Sequence, residues 1–221
     1  MIELKQVTKF YPTKSGRKYI LDNVSATFPT GKNIGVFGRN GTGKSTLLRL
    51  LGGIDFPNSG EINIKGTISW PMGLSGGIQG SLTGRENARF VCRVHGESEK
   101  SVKEKIEFIY EFSELAEYFD EPVGGYSSGM RSRLTFGMSM AFDFDYYLMD
   151  EITAVGDARF KEKARAALNA KRENANVIFV SHNIGEIKRI CDIGLYVENG
   201  KLNIYDDIDE AAQRYQQMIK G

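Results

Sequence analysis

Apolar and polar residues alternate at the start of the chain, where Ile2, Leu4 and Val7 are the apolar positions. A second apolar-rich run, ILDNVSATF at 20–28, ends at Pro29. Successive side chains of a strand point to opposite faces, so alternation predicts one buried and one exposed face. Both runs therefore predict strands of a half-exposed sheet.

The next apolar run is short and leads directly into a glycine-rich turn. Residues 33–37 (NIGVF) precede this turn, and residues 44–51 (KSTLLRLL) follow it with the pattern of a helix. Strand, loop and helix in this order are typical of a parallel α/β unit. A second turn at 57–60 (PNSG) precedes another alternating stretch at 61–68, which predicts a further strand.

The middle of the chain has a different period. From about 83 to 119, apolar residues recur three and four positions apart, which predicts helices. Another helix begins near Ser127 or Ser128, after two adjacent glycines. A mostly helical second lobe therefore interrupts the sheet. Beyond it, strand and helix patterns alternate again at 146–149, 159–170, 177–180, 184–191, 193–197 and 210–220.

Composition and charge exclude several classes of protein. The chain has 221 residues, 41% hydrophobic and 26% charged, as in an ordinary globular protein rather than a disordered one. Its 29 basic and 28 acidic residues leave a net charge of +1, which argues against a binding surface for nucleic acid or anionic membrane. Cys92 and Cys191 fit no metal-ligand spacing, and no apolar run approaches the roughly 20 residues of a membrane-spanning helix. If the protein works at a membrane, another component must hold it there.

The strongest chemical signal is GRNGTGKS at 38–45, which matches the phosphate-loop pattern G-x-x-x-x-G-K-[ST]. Its glycines allow successive backbone N–H groups to turn inward around phosphate oxygens at the start of a helix. The pattern assigns Lys44 to the β- and γ-phosphates and the Ser45 hydroxyl to Mg²⁺. Because the motif follows an apolar strand and opens a helix, it predicts a nucleotide site rather than an ordinary turn.

A second signal is YYLMDE at 146–151, an apolar strand that ends in two carboxylates. In ATPases with a phosphate loop, an Asp at such a strand end holds the Mg²⁺ shell, which is the role predicted for Asp150. Glu151 beside it can accept a proton from an attacking water. Alone, the pair would fit two solvated surface acids. Together with the loop upstream, it predicts nucleotide hydrolysis.

A third motif, YSSGMR at 126–131, opens a helix shortly before Asp150. On its own, Ser followed by Gly at a helix N-terminus is a common cap. The three motifs in this order resemble the ABC ATPase family, whose signature L-S-G-G-Q precedes its D-E strand. The resemblance covers nearly the whole chain. It implies an α/β phosphate-loop NTPase core with a mixed sheet, in one nucleotide-binding domain over 1–221, with a helical subdomain inserted at about 83–142.

The resemblance implies that the ligand is ATP with Mg²⁺ and assigns catalytic roles. Lys44 binds phosphate, Glu151 is the general base, and His182, in VSHN, touches the γ-phosphate. Ser45 and Asp150 are the implied Mg²⁺ contacts, the latter through water. These five residues form the implied hydrolytic centre.

Other implied contacts lie on both sides of the nucleotide. Tyr11, in VTKFY, is the implied adenine-stacking residue, although a surface or core tyrosine is an alternative there. Ser127 and Gly129 imply contacts to the γ-phosphate bound by an opposite subunit, and Asp157, in AVGD, implies a dimer interface. The implied loop contacts are Gly38, Arg39, Asn40, Gly41, Thr42, Gly43, Lys44, Ser45 and Thr46.

Three features depart from the family pattern. The signature has Ser128 and Met130 where the family has Gly and Gln. No glutamine stands at the place expected for the Mg²⁺-contacting Q-loop glutamine, near 72–74, and Gln79 lies several residues later. Gly156 precedes the interface aspartate and makes that turn more flexible than usual.

Within the family, the chain is similar to the ATPases of exporters for cell-surface polysaccharides, and among them to the capsule-export type. The likeness rests on SGRKYILDNVSATF, GRNGTGKSTLLRLLGG, ISWP, LTGREN, YSSGMRSRL and AVGDARFKEK. It implies an ATP-dependent homodimer that drives a separate integral-membrane permease from the cytoplasmic face of the bacterial inner membrane. Membrane association would be through the permease only, and no nucleic-acid partner is implied.

Three alternatives stay open at the level of sequence. A soluble ABC-type ATPase acting on ribosomes or DNA usually joins two ATPase units or carries a long coiled coil, whereas this chain has one phosphate loop. A small-molecule kinase would leave the signature, Glu151 and His182 without a role. An ABC ATPase for a lipid, drug or solute differs only in its partner, where the transport site lies.

Overall fold

Strands and helices alternate through most of the chain in the computed structural model, which describes residues 1–72, 78–150 and 157–220. The strands are β1 (Ile2–Thr13), β2 (Gly16–Phe28), β3 (Ile34–Phe37), β4 (Ser59–Ile64), β5 (Tyr146–Asp150), β6 (Asn176–Val180), β7 (Ile193–Glu198) and β8 (Lys201–Tyr205). The helices are α1 (Lys44–Leu51), α2 (Gly84–Val94), α3 (Glu99–Ser113), α4 (Ser128–Met140), α5 (Ala158–Arg172), α6 (Ile184–Ile190) and α7 (Ile208–Lys220). Short 3₁₀ turns occupy Ala116–Asp120 and Val123–Gly125.

The strands form two sheets. In the first, β1 pairs antiparallel with β2 on one side and β4 on the other. The second has the order β5-β6-β3-β7-β8, parallel from β5 to β7 and antiparallel at β8. The expected mixed sheet is therefore present, and its parallel strands are almost entirely buried, as parallel sheets usually are.

The described residues group into two compact units. The sheet unit comprises Met1–Pro71, Phe144–Glu151 and Asn174–Gly221, and it contains both sheets with α1, α6 and α7. The helical unit comprises Met72–Asp143 and Ile152–Glu173, and it contains α2 to α5. The expected helical subdomain at 83–142 lies in this unit, which also includes α5. A single nucleotide-binding domain over 1–221 stays a prediction.

One apolar core holds the sheet unit together. It contains inward residues of both sheets and the buried leucines of α1, such as Leu47 and Leu48. On the other side of the mixed sheet, Gly35 of β3 lies in register with Gly194 of β7. A Cβ at Gly35 would lie 2.3 Å from Ile187 of α6, and one at Gly194 would lie 2.1 Å from Ala211 of α7. These glycines therefore let α6 pack directly on β3, which precedes the phosphate loop, and α7 on the neighbouring β7.

Side-chain caps at the helix N-termini and contacts between aromatic rings stabilise the helical unit. Thr83 and Glu86 form a capping box at the start of α2, and Ser98 caps α3. Phe112, Phe136 and Phe160 join α3, α4 and α5, with ring centroids 5.8 to 6.5 Å apart. Aromatic contacts of this kind hold the three helices in one core.

Two strand predictions need correction. The alternating stretch at 61–68 was expected to be one strand, but β4 ends at Ile64. Gly66 turns the chain at φ +107°, and the Asp145 carboxylate accepts hydrogen bonds from the Thr67 N–H at 2.6 Å and the Thr67 hydroxyl at 2.9 Å. The pairing with β1 ends at its first residue, since Ile64 pairs with Ile2 and the Lys65 N–H donates to the Met1 carbonyl at 2.8 Å. Beyond this point, Thr67 and Ser69 bond Tyr146 of β5 instead. The strand also starts at Ser59, inside the predicted 57–60 turn.

Candidate nucleotide-binding site

The phosphate loop begins where β3 ends, and two of its glycines are required by close neighbours. Gly38 has φ +151°, and a Cβ there would lie 2.7 Å from the Val197 carbonyl oxygen. Gly43 has φ +109°, and a Cβ there would lie 2.2 Å from Cγ2 of Ile20. Any other residue would meet both backbone strain and a collision. The structure thus gives a physical reason for the motif's first and last glycines.

Lys44 closes this loop from inside. It is the first residue of α1, it is buried, and its Nζ donates to the carbonyls of Gly38 at 2.7 Å and Arg39 at 3.0 Å. The Thr42 hydroxyl donates to the same Arg39 carbonyl at 2.9 Å. The ammonium is therefore held at the start of a helix, where the helix dipole also favours an anion. Ser45 is exposed next to it, whereas Thr46 is buried.

The other predicted hydrolytic residues follow neighbouring strands at the same edge of the sheet. Asp150 ends β5 and pairs with Val180 of β6, which is itself level with Val36 of β3. Because these strands are parallel, the phosphate loop, Asp150 and His182 all emerge at their carboxyl ends, where α/β proteins bind ligands. Asp150 is partly buried and His182 is exposed. Glu151 lies outside the described residues.

Tyr11 takes part in a network that joins β1 to α1. Its hydroxyl donates to Asp55 at 2.6 Å and accepts from Arg49 of α1 at 3.0 Å. The Lys9 ammonium lies 5.0 Å from the Tyr11 ring centroid and also donates to Asp55. Burial opposes ionisation of Asp55, but the hydrogen bonds from Lys9 and Tyr11 hold its pKa below the ordinary value. These contacts match the alternative of a structural tyrosine, and adenine stacking stays a prediction.

The signature motif lies at the start of α4. Ser127 caps this helix, and its Oγ accepts a hydrogen bond from the Met130 N–H at 3.2 Å. Ser127 is exposed. A Cβ at Gly129 would meet only Ser127 Oγ, at 3.9 Å, which is an ordinary contact. Ser127 therefore has a structural role as a helix cap. No contact among the described residues requires glycine at position 129.

Asp157 caps the next helix of the same unit. One carboxylate oxygen accepts from the Phe160 N–H at 2.9 Å, and the other accepts from Arg133 of α4 at 2.6 Å. The backbone hydrogen bond, aided by the Arg133 charge, lowers the pKa of Asp157. Arg133 thus links α4 to the start of α5. Sequence reasoning did not find Arg133, because a separation of 24 residues carries no signal of contact.

The place expected for the Q-loop glutamine lies partly within the described residues. Of the expected place near 72–74, Met72 is described and buried, and the rest lies outside the described residues. Gln79 is exposed, and its backbone is fixed by the buried Asn87. The Gln79 N–H donates to Asn87 Oδ1 at 2.8 Å, and Asn87 Nδ2 donates to the Gln79 carbonyl at 3.1 Å. A Mg²⁺-contacting role for Gln79 stays a prediction.

The residues present fit a magnesium nucleotide. A buried ammonium suits the polyphosphate, and one exposed hydroxyl with one carboxylate suits an ion that keeps much of its water shell and shares phosphate oxygens. Within 1–72, 78–150 and 157–220, no group of three His, Cys, Asp or Glu side chains could hold a metal by itself. The same ranges contain no helix that is long and apolar enough to cross a membrane.

Comparisons with known proteins agree with this geometry. The ABC transporter family model matches residues 21–154. The chain is 51% identical over 215 residues to the polysialic acid transport ATP-binding protein KpsT of Escherichia coli, covering 95% of this chain and 96% of that protein. It is 45% identical over 215 residues to the capsule polysaccharide export ATP-binding protein CtrD of Neisseria meningitidis serogroup B, covering 97% and 98%.

A solved structure shows the same fold. It is a dimeric ATP-binding cassette in a post-hydrolysis state, bound to ADP and Pi. The TM-score is 0.78 at 23% sequence identity, and the match covers 94% of this chain and 99% of that chain. The α/β phosphate-loop class expected from the sequence is therefore confirmed.

Proposed function

This chain belongs to the ABC transporter family, and we propose that it is the ATP-hydrolysing subunit that energises export of capsular or related cell-surface polysaccharide. The observation that carries the proposal is the phosphate loop closed around the Lys44 ammonium, at the sheet edge where Asp150 also ends its strand. Near full-length identity to proteins named for polysialic acid transport and capsule polysaccharide export supports the cargo class.

Each site residue has a defined task in hydrolysis. Lys44 binds the β- and γ-phosphates, while the exposed Ser45 hydroxyl and Asp150 hold Mg²⁺, Asp150 through water. When bound, Mg²⁺ neutralises charge that develops on the phosphates. Glu151 orients a water and takes its proton, and His182, exposed after β6, contacts the γ-phosphate. The loop carries the remaining backbone contacts, from Gly38 to Thr46.

Two copies of the chain complete two sites. Ser127 and Gly129 of one copy contact the γ-phosphate in the loop of the other, and Asp157 lies at the interface. The exposed cap at Ser127 and the open space around Gly129 support this arrangement, since a ligand can approach that backbone closely. The two copies close over bound ATP and reopen after hydrolysis.

The motion of the two copies is passed to an integral-membrane permease. The helical unit offers a docking surface, because Phe90 and Val94 of α2 are 56% and 68% exposed one helical turn apart. Contact with a partner would remove this apolar surface from water. The protein would then lie at the cytoplasmic face of the bacterial inner membrane and be held there through the permease only.

The cargo is tested by measuring polysaccharide at the cell surface and in the cytoplasm of native cells. Glu151→Gln is compared with wild type and with Glu162→Gln, which changes an exposed glutamate of α5 in the same way. We expect surface polymer to fall and intracellular polymer to accumulate in Glu151→Gln only. Purified Glu151→Gln should bind ATP normally and hydrolyse it about 10²- to 10⁴-fold more slowly.

Two results would contradict the proposal in different ways. Normal hydrolysis by purified Glu151→Gln would remove Glu151 from the role of general base. Slow hydrolysis with unchanged polysaccharide in both pools would mean that this ATPase serves another cargo, such as a lipid, drug or solute.

A further inference from the structure

A second lysine lies beside the phosphate loop. Gly41 stands at the exposed tip of this loop with φ +76°, and a Cβ there would lie 3.8 Å from Nζ of Lys18. Lys18 belongs to β2, far in sequence from the loop. Its ammonium therefore lies near the tip of the loop whose backbone the motif assigns to phosphate.

The strand that carries Lys18 packs against the phosphate loop. Ile20, two residues further along β2, is buried and presses against Gly43 at the other end of the loop. The register between β1 and β2 is irregular at Ile20, because Lys9 pairs with Leu21 while Phe10 pairs with Tyr19. The side on which Lys18 lies is given by its Nζ, 3.8 Å from the Cβ position of Gly41. Lys18 also pairs across the hairpin with Tyr11 of β1. The ammonium thus lies on the side of the hairpin that borders the loop.

The charge of Lys18 is unpaired among the described residues. Its ammonium forms no hydrogen bond or ion pair with any residue in the described ranges, and the side chain is exposed. Two other lysines of this region differ: Lys44 donates to two loop carbonyls, and Lys9 is bound to Asp55 and to the Phe56 carbonyl. A cation free to move next to an anion-binding loop can reach a bound phosphate.

We propose that Lys18 is a further nucleotide-binding residue, which contacts the phosphate chain of the nucleotide from β2. This inference rests on the proposed function, because it assumes that the loop binds a nucleotide. Phosphate is the expected target because an ammonium is a point charge that prefers a compact anion. The neighbouring Tyr11 raises a second outcome, a contact to the base, which the experiment separates.

The experiment measures binding of MgATP and MgGTP to the purified full-length chain by calorimetry at two salt concentrations. Lys18→Met removes the charge and keeps much of the side-chain length, and Lys18→Arg restores a cation. Lys14→Met, an exposed lysine at the tip of the same hairpin, is the matched control. One charge contact at high effective dielectric predicts that Lys18→Met raises Kd about five- to tenfold for both nucleotides. The loss should shrink at higher salt, with Lys14→Met unchanged and Lys18→Arg close to wild type.

Each other outcome has one meaning. If Lys18→Met and Lys14→Met have equal affinities, Lys18 makes no specific contact and the inference is wrong. A loss for MgATP alone would identify a base contact and overturn the phosphate assignment. If wild type itself binds neither nucleotide, the proposed function fails first. Thermal unfolding of each variant without nucleotide identifies any change that comes from the fold.

Discussion

Gly43 and Gly129 both lie at the first turn of a helix in the proposed site, but their backbone conformations and their neighbours differ. Gly43, before α1, has a positive φ and would collide with Ile20 if it carried a Cβ. Gly129, the second residue of α4, has a helical backbone and open space around it. The first glycine is required for folding, whereas the second has no such requirement among the described residues.

This difference separates two kinds of functional residue. The phosphate loop is preorganised by its own fold, since strand β3, the hairpin of β1 and β2, and Lys44 hold its shape. Gly129 lowers the stability of α4, because glycine within a helix is less favourable than alanine. A residue that costs stability without a packing reason is expected to serve a ligand or a partner, which supports a site shared between two copies.

The largest expected effect comes from Gly43→Ala. The positive φ costs about 1–2 kcal/mol and the collision with Ile20 about 1–3 kcal/mol more. Urea unfolding should therefore show a loss of about 2–5 kcal/mol, with loss of nucleotide binding. Gly53→Ala is the control, because Gly53 has φ +67° with nothing within 4 Å of its Cβ position. If both variants lose the same stability, the contact with Ile20 does not fix the loop.

A smaller change in the opposite direction is expected for Gly129→Ala. Alanine suits a helix better, so stability should stay level or rise by up to about 1 kcal/mol. ATP hydrolysis should nevertheless fall, because the added methyl group keeps a γ-phosphate away from the backbone. Unfolding and hydrolysis are measured on the same preparation. Full hydrolysis by a stabilised Gly129→Ala protein would remove position 129 from the proposed site.

The smallest effect concerns the ion pairs of the helical unit. Glu114 accepts from Lys163 at 2.8 Å and lies 3.8 Å from Arg133, and the Lys163 hydrogen bond lowers the pKa of Glu114. A lowered pKa gives stability that is present at neutral pH, and this stability is lost as the pH falls below the ordinary pKa of glutamate and through the lowered one. Glu114→Gln should cost about 0.5–1 kcal/mol at pH 7, as partly exposed pairs do.

This difference should vanish in acid. The melting temperatures of wild type and Glu114→Gln are compared from pH 7 to pH 3, with Glu117→Gln as a control on an exposed glutamate nearby. Convergence of the two curves at low pH is expected. A gap that stays constant would show that the glutamine changes packing rather than charge.

Local signals in the sequence predicted much of the fold. Helix α1 has the predicted bounds because the phosphate loop starts it and Gly52 ends it. Strand β8 was missed, although Asn199 and Gly200 carry the hairpin signal. Both have positive φ, as a two-residue turn of this type requires. The sequence therefore contains a local signal for β8.

The side-chain networks could not be predicted in this way. Arg133 reaches Asp157, and Tyr11 reaches Asp55, only after the chain has folded. The family resemblance assigned Tyr11 to adenine without indicating that its hydroxyl is bound inside the sheet unit. Long-range contacts depend on how elements pack, which residue spacing does not encode.

The central claim is that each ATP site combines the phosphate loop of one copy with the signature of the other, and mixing two defective proteins tests it most directly. Lys44→Ala removes the phosphate-binding ammonium. Gly129→Asp puts a negative charge in the first turn of α4, where the helix dipole tolerates it but a γ-phosphate would be repelled. Each variant alone should hydrolyse ATP poorly, whereas a mixed dimer contains one site with both parts intact. Random pairing in an equimolar mixture should restore about a quarter of the wild-type number of intact sites, and ATP hydrolysis no higher than the sum of the separate variants would contradict the shared site.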